Sequence, residues 1–333
     1  MVNVNFCLGR IEMKNAFLLV TVVAAGSLLG WGQKDPTSSK LVAAAQEQSD
    51  IFNQAPRPFL LEADLTVQLA APTQGHIAIH WQSKNHWRRE LEFGPYKEIV
   101  VRVGEWEYAQ RNVGFAPLRA VQVVDLLQFA KQDTQHAAKS EKTRNKNGVL
   151  LTCIDMESTG SNGHYEICAD SATHEIVSDN PWIYGIDGGS AEFSRYTEIE
   201  KMQFPKHLEL RIGKGSAVTV NVAKLAEEAP DTNLLTPPPN AVERRYCEVM
   251  TSPFMIKRPD IASLGGFSGS VNVKFQTTVL KDGSVGAIQV IGQNSAEAAD
   301  RIRKLWKDAR YKPAMCGTEP VVADVEEGLI IAR

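Results

Sequence analysis

Residues 59–69 read Phe59-Leu60-Leu61-Glu62-Ala63-Asp64-Leu65-Thr66-Val67-Gln68-Leu69. From Leu61 onward, apolar residues stand at every odd position and polar residues at every even position. Side chains of a β-strand alternate between its two faces, so this period of two predicts a long, half-buried strand. Pro72 and Gly75 follow, and both residue types are typical of turns.

The same pattern recurs in short segments separated by turns such as Gly94-Pro95. Further strands are predicted at residues 76–81, 87–93, 98–103, 105–111, 149–154, 165–168, 175–178, 191–199, 208–212 and 217–225. Helical spacing is confined to 39–52 and 121–129. We therefore predict an antiparallel curved sheet or half-barrel with few helices over residues 59–228, after a polar lead-in at 34–58.

Residues 229–240 mark a domain boundary. They include Pro237-Pro238-Pro239, and consecutive prolines fit neither a helix nor the interior of a sheet. An extended linker of this length would span about 37 Å at about 3.1 Å per residue. A second module is predicted at 241–333.

In the second module, the clearest alternation of apolar and polar residues predicts a strand at 271–279. The turn Lys281-Asp282-Gly283-Ser284 carries the Asp-Gly signal of a β-hairpin, and residues 285–291 form the returning strand. Asn294 and Glu297 resemble a capping box.

A helix with one apolar face follows, with Trp306 in its predicted core, and Pro313 ends it. A final strand is predicted at 321–331. The module is thus a small ββαβ unit, and the whole chain is predicted to be a β-rich α+β protein.

Residues 245–333 of this module resemble the TonB C-terminal domain family. The resemblance rests on residues 269–275, the turn at 281–285, the helix end Leu305-Trp306-Lys307, residues 310–314, Gly317 and Pro320-Val321. It implies an exposed strand edge that pairs with an extended segment of an envelope protein, such as an outer-membrane receptor. The implied edge comprises Val321, Val322, Ala323, Asp324, Val325, Leu329, Ile330 and Ile331. The short linker argues against a role in energy coupling.

Residues 55–228 more weakly resemble the LolA/LolB-type lipoprotein carriers. The resemblance rests on the strand ending near Ala70, Gly75, the segments 87–90 and 94–96, Gly104 before Trp106, and the hairpin that holds Cys153 and Cys168. It implies a concave sheet that accepts acyl chains. The candidate cavity residues are Leu61, Leu65, Val67, Ile79, Trp81 and Trp87. The alternative is that these residues fill an ordinary core, because periodicity does not distinguish the two.

The N-terminus has the layout of a secretory signal. Lys14 precedes an apolar stretch from Ala16 to Trp31, and a polar segment follows. We assign residues 1–33 to the signal, with Met13 as an alternative start, and we expect the protein in the periplasm. The alternative is an uncleaved inner-membrane anchor, for which sixteen residues are marginal.

Four cysteines follow the signal segment, and an exported chain with an even number is expected to form disulfides. Three pairings are possible. Cys153 and Cys168 flank turn-rich residues 158–163, so a hairpin favours pairing them with each other. Cys247 would then pair with Cys316.

The net charge of −3 and the isoelectric point of about 6.2 offer no basic field for nucleic acid. The basic residues Lys139, Lys142, Arg144 and Lys146 are interpreted as a solvated loop. His76 and His80 lie about 13 Å apart along a strand, and neither they nor His86 complete a metal site. No nucleophile or phosphate-binding motif occurs, so we predict no cofactor, no metal and no enzymatic activity.

These observations favour a periplasmic adaptor whose C-terminal module pairs with a strand of an envelope partner. The alternative is a soluble periplasmic carrier of lipid or of lipoprotein acyl chains.

Overall fold

The computed structural model describes residues 36–131, 136–158, 164–180, 189–247, 250–260, 271–291 and 296–331. These residues belong to one compact unit. The predicted signal segment, residues 159–163 of the cysteine hairpin, and Asn294 lie outside the described ranges. Among the described helices, none is both long and apolar enough to span a bilayer.

The N-terminal part combines three helices with one large antiparallel sheet. The helices are α1 Pro36–Ser49, α2 Ile51–Gln54 and α3 Leu118–Leu127. The strands are β1 Phe59–Gln68, β2 Pro72–Ser83, β3 His86–Phe93, β4 Tyr96–Val103, β5 Trp106–Arg111, β6 His136–Lys146, β7 Val149–Ser158, β8 His164–Asp170, β9 Ile176–Asn180, β10 Gly189–Ile199, β11 Met202–Ile212, β12 Gly215–Glu227 and β13 Val242–Arg245. Their order is β13-β5-β4-β3-β2-β1-β12-β11-β10-β9-β8-β7-β6. The predicted curved antiparallel sheet is confirmed.

Strand β1 lies at the centre of this sheet, between β2 and β12. Leu61, Ala63, Leu65 and Val67 are all buried, as their alternation predicts, whereas Leu69 lies beyond the strand and is exposed. Helix α1 packs on β7–β9 and β11, and α3 packs on β11 and β12. The main core therefore lies between the three helices and one face of the sheet.

The interpretation of residues 139–146 as a loop was wrong, because they belong to edge strand β6. Each basic side chain is paired with a carboxylate of the sheet. The pairs are Lys139 with Glu157, Lys142 with Asp155 and Glu166, Arg144 with Glu166, and Lys146 with Glu192. Charged residues are common on edge strands because they discourage pairing with another chain.

The proline-rich linker is not a free spacer. Leu235 is buried, Arg88 donates a hydrogen bond to the Leu234 carbonyl oxygen at 3.1 Å, and Gln110 donates to that of Pro239 at 3.0 Å. Strand β13 follows it and pairs with β5. The large sheet therefore continues past the predicted boundary at 240.

The C-terminal part adds one helix and eight short strands. They are β14 Met250–Thr251, β15 Phe254–Lys257, β16 Val271–Val279, β17 Val285–Ile291, α4 Ala296–Trp306, β18 Arg310–Lys312, β19 Ala314–Cys316, β20 Glu319–Val321 and β21 Ala323–Ile331. The sheet β17-β16-β21 with α4 has the predicted ββαβ order. Strands β14-β19-β20 and β15-β18 form two small additional sheets.

Trp306 lies in the core of this module, as predicted. Its ring meets Phe275 edge-on at 4.5 Å, and its Nε1 donates to the Tyr311 hydroxyl at 2.9 Å. In the hairpin turn, Gly283 adopts φ +79°, and a Cβ there would overlap the Tyr311 carbonyl oxygen. The Asp-Gly signal therefore marks both a left-handed residue and a close backbone approach.

Both favoured disulfides are present, Cys153–Cys168 and Cys247–Cys316. Cys153 and Cys168 are directly opposite each other on β7 and β8. Cys247 follows β13 and Cys316 ends β19, so the second bond ties the edge of the large sheet to the C-terminal part.

Candidate ligand-binding cavity

A cavity of about 260 Å³ lies between strands β2–β5 and the ends of helices α2 and α3. Its apolar wall is formed by Phe52, Ile79, Trp81, Trp87 and Val124. Its polar wall is formed by Asn53, Lys84, Arg89, Arg102, Glu107, Gln128, Lys131 and Tyr246. Four cations and one carboxylate make this wall predominantly positive. The cavity can therefore accept an apolar group at one wall and an anion at the other.

The cavity floor is one row of residues that run across neighbouring strands. Trp81 is opposite Trp87, Trp87 is opposite Arg102, and Arg102 is opposite Glu107. Residues directly opposite each other in antiparallel strands project from the same face. Hydrogen-bonded register thus places two indoles, a guanidinium and a carboxyl group side by side.

Two donors in the cavity wall are buried and have no hydrogen-bond partner among the described residues. They are Nε1 of Trp81 and Nε of Arg89. The Trp81 ring is held in place by stacking on Phe59 at 5.0 Å. A buried donor without a partner destabilises the fold by about 1–3 kcal/mol, and an acceptor atom on a ligand would relieve that penalty.

Arg102, on the cavity floor, also contacts Tyr246, which lines the same cavity. Its guanidinium lies 3.4 Å from the centre of the Tyr246 ring, within the range of a cation–π contact. Nε donates to the Gly104 carbonyl oxygen at 3.1 Å, and Nη2 donates to Asn85 Oδ1 at 3.0 Å. Glu107 lies opposite Arg102 on β5 and interacts with its charge, so a ligand anion at this position would share Arg102 with Glu107.

A second cavity of about 180 Å³ adjoins the first through Arg89 and Val124. Within it, Arg89 and Arg111 hold Glu98 at 3.3 and 2.6 Å. Burial acts to raise the pKa of Glu98, but the two guanidinium groups together lower it below its ordinary value. Glu98 is therefore an ionised structural residue that fixes the position of Arg89.

Two other carboxyl groups near the cavity have pKa values above the ordinary value, in contrast to Glu98. Burial raises the pKa of Asp125 to about 6, although Arg89 and Lys131 oppose the shift. Burial also raises the pKa of Glu107, against the effect of Arg89 and Arg102. Protonation of either group at low pH would make the cavity more positive.

The six predicted cavity residues divide into two sets. Ile79, Trp81 and Trp87 line the cavity. Leu61, Leu65 and Val67 do not line it and lie in the packed core, to which Ile79 and Trp81 also belong. An acyl-binding role for these residues stays a prediction, with three of the six at this cavity and three away from it.

The charged wall was missed, since charged residues in strands are ordinarily assigned to the solvent face. The sequence of strand β4 contains a pattern that could have predicted the charged wall. Glu98 and Arg102 occupy the same face of the strand as Tyr96 and Val100, and all four are buried. Two charges in phase with buried residues indicate a polar interior.

The predicted partner-binding edge is divided between two strands. Val321 ends β20 and pairs with Ala314, so it is occupied by the chain itself. The strand predicted at 321–331 is interrupted at Val322, and β21 starts at Ala323. Strand β21 is the edge of its sheet and, within the described residues, pairs only with β16. Its members of the predicted set are Ala323, Asp324, Val325, Leu329, Ile330 and Ile331.

One group of described side chains has the composition of a metal site, namely Cys153, Glu166 and Cys168. The two sulfur atoms are joined in a disulfide, which leaves no thiolate to bind a metal. His76 lies 3.6 Å from Asp64 on the opposite face of the sheet from the core, as an exposed strand histidine.

No protein-family model matches the sequence, and no curated protein matches it. Among solved structures, a LolA superfamily protein from Nitrosomonas europaea superposes with a TM-score of 0.42 at 6% identity, over 59% of this chain and 97% of the other. A DUF1329 family protein from Desulfovibrio piger gives 0.42 at 13%, over 61% and 98%. The MucA/MucB complex of Pseudomonas aeruginosa gives 0.27 at 10%, over 88% and 93%. At these identities and TM-scores we transfer no function to this chain.

Proposed function

We propose that this chain is an exported binding protein, not an enzyme, and that its cavity holds an amphipathic ligand with an acyl chain and an anionic group. The observation that carries the proposal is the row Trp81, Trp87, Arg102 on the cavity floor. Two indoles offer apolar contact area, and the adjacent guanidinium offers charge-assisted hydrogen bonds. A carrier of a fatty acid or of an anionic lipid would use both, whereas the acyl chains of a lipoprotein would use the apolar contact area alone.

The periplasm is the proposed compartment. The signal-like N-terminus and two disulfides support it, because disulfides persist in oxidising compartments outside the cytosol.

The first experiment asks whether an acyl ligand accompanies the protein. The processed chain is purified from cell envelopes, and native mass spectrometry with organic extraction identifies bound molecules. We expect a bound species with an acyl chain. Its absence, together with failure to bind a fluorescent long-chain fatty acid in solution, would contradict the proposal.

The second experiment separates the charged wall from the apolar wall. Lys131→Glu reverses an exposed cation of the cavity. We expect at least about tenfold weaker binding of the fatty acid, since a like charge replaces an opposite one, and an unchanged affinity for its uncharged methyl ester. Lys214→Glu, in the β11–β12 turn, is the matched control. Equal effects of the two substitutions on fatty-acid binding would count against a cationic wall.

A second function, strand docking, is supported by one separate observation. Within the described part of the chain, strand β21 pairs with β16 alone, which leaves its other side for an added strand. A photo-reactive residue at Ile330 is expected to capture an envelope protein in intact cells, whereas one at Gln289 on the opposite edge strand, β17, is not. Capture at both positions, or at neither, would oppose docking at β21.

A further inference from the structure

Strand β15 carries the two most exposed large apolar side chains of the described residues. Phe254 is 69% exposed and Ile256 is 66% exposed. Between them, Met255 packs against the core of the C-terminal part, opposite the buried Tyr311 on β18. Met255 therefore lies inward, whereas Phe254 and Ile256 on either side of it project outward, at an irregularity in the pairing between Met255 and Lys257.

Four basic residues surround these two side chains. Lys312 is directly opposite Phe254, Arg310 is opposite Lys257, and Arg258 follows the strand. Arg310 donates to the Lys307 and Ala309 carbonyl oxygens and lies near Asp282. Lys257, Arg258 and Lys312 are exposed and form no ion pair with a described residue. The four cations outnumber the three acidic residues that are close to them in sequence or by interaction, Asp260, Asp282 and Asp308.

We propose that this face, defined by Phe254, Ile256, Lys257, Arg258 and Lys312, docks the protein on an anionic membrane surface. The two apolar side chains would enter the interface, and the cations would contact lipid phosphates. Apolar patches with a polar rim mark interaction sites, and Phe254 and Ile256 lie two residues apart among basic residues. Two side chains supply far less than the about 1,000 Å² of a stable protein interface, whereas insertion into a bilayer requires no matched surface.

This inference is independent of the ligand cavity, because β15 lies in the C-terminal part and shares no residue with the cavity walls. It concerns binding of the protein to a membrane surface, whereas the proposed function concerns binding of a ligand in the cavity. A failure of one therefore leaves the other unaffected.

The test is co-sedimentation of the processed full chain with vesicles. One set contains equal amounts of phosphatidylglycerol and phosphatidylcholine, and the other contains phosphatidylcholine alone. We expect binding to the anionic set, reduced by added salt. Phe254→Ser with Ile256→Ser is expected to lower the partition coefficient at least about tenfold. Lys257→Gln with Lys312→Gln is expected to lower it about fivefold per charge on anionic vesicles.

Val149→Ser with Leu150→Ser is the matched control, because these residues are also exposed, at 40% and 53%, on the distant β6–β7 hairpin. It should sediment like the unmodified protein. All three variants change exposed side chains, so their melting temperatures should be unchanged. The proposal is overturned if the unmodified protein stays in the supernatant, if it binds neutral vesicles equally well, or if the control loses as much binding as the Phe254/Ile256 variant.

Discussion

The guanidinium of Arg244 holds both carboxylate oxygens of Asp324. Nη1 donates to Oδ2 at 2.7 Å and Nη2 donates to Oδ1 at 3.1 Å. Arg244 belongs to β13 of the large sheet and is opposite Glu107 of the cavity floor, while Asp324 belongs to β21. Thr278 of β16 also donates to Asp324, at 2.8 Å. One row of paired residues therefore runs from Trp81 across the cavity floor to the edge strand of the C-terminal sheet.

Loss of this pair is expected to loosen the C-terminal part. Arg244→Gln or Asp324→Asn should each lower the free energy of unfolding by about 1–3 kcal/mol, because both side chains are mostly buried and the pair is bidentate. The double variant should lose less than the sum of the two single losses. Urea unfolding followed by circular dichroism measures all three.

The exposed pair Lys139–Glu157 is the control for that experiment. Its loss should change stability by less than about 1 kcal/mol, since exposed ion pairs are screened by water. A double-variant cycle at Arg244 and Asp324 with no coupling would show that the contact does not hold the two sheets together.

Two tryptophans provide a comparison of paired and unpaired indoles. Both Trp81 and Trp306 are almost fully buried, but Nε1 of Trp306 donates to Tyr311, whereas that of Trp81 has no partner among the described residues. Replacement by Phe removes the same volume at both sites. Trp306→Phe should therefore be the more destabilising, by roughly 1–3 kcal/mol, because only it loses a hydrogen bond.

The same pair tests the cavity. Trp81→Phe should weaken binding of the fluorescent fatty acid severalfold, through loss of a donor, while Trp306→Phe should leave it unchanged. Thermal unfolding and fluorescence titration measure the two effects. Equal stability losses would argue that the Trp81 indole has a partner in solution.

Much of the fold could be predicted from the sequence, because alternation is a local signal. The strand at 59–69, the Asp282-Gly283 turn and the helix containing Trp306 all occur where their patterns place them. Strand β6 was not predicted, since most of its residues are polar or charged. It forms by backbone pairing with β7, and its basic side chains meet carboxylates that lie elsewhere in the sequence.

The cavity was only half predictable, for the same physical reason. The alternation of apolar and polar residues predicts Trp81 and Trp87 on the inward face. Arg102 and Tyr246, in contrast, are brought together only by the register of β4 and the position of β13. Tyr246 follows a linker that was expected to separate two domains. Long-range pairing, which no local pattern reports, decides where such a residue lies.

The two disulfides should contribute unequally to stability. Cys153–Cys168 closes a loop with a sequence separation of 15, and Cys247–Cys316 closes one of 69. Loop-closure entropy predicts losses of about 3 and about 4 kcal/mol when each pair is replaced by alanine. Denaturant unfolding of the two double variants measures the difference.

Thiol titration of the denatured, processed chain provides the accompanying check. We expect no reactive thiol before reduction and four afterwards. Reactive thiols in the unreduced protein would remove the support that the disulfides give to a periplasmic location.

Asp125 should make stability depend on pH in an unusual direction. Its pKa rises from an ordinary 3.8 to about 6, because the carboxyl group is buried on α3. Between these values the folded protein binds a proton that the unfolded chain does not, so this group adds stability as the pH falls. The contribution is fully present below about pH 4 and is lost as the pH rises through about 6.

Asp125→Asn removes that dependence, since an amide does not ionise. The variant should be more stable than the unmodified protein at pH 8, by about 1–3 kcal/mol for a shift of roughly two pKa units, and nearly equal to it at pH 4. Urea unfolding at the two pH values measures the difference between the proteins, in which the other titrating groups cancel.

Asp170→Asn is unsuitable as a control, because that carboxylate accepts backbone hydrogen bonds from Ala172 and Thr173. Asp308→Asn, at an exposed position just after helix α4, is the matched control. A stability advantage of Asp125→Asn that is equally large at pH 4 would mean that burial of the polar group, and not its ionisation, destabilises the helix.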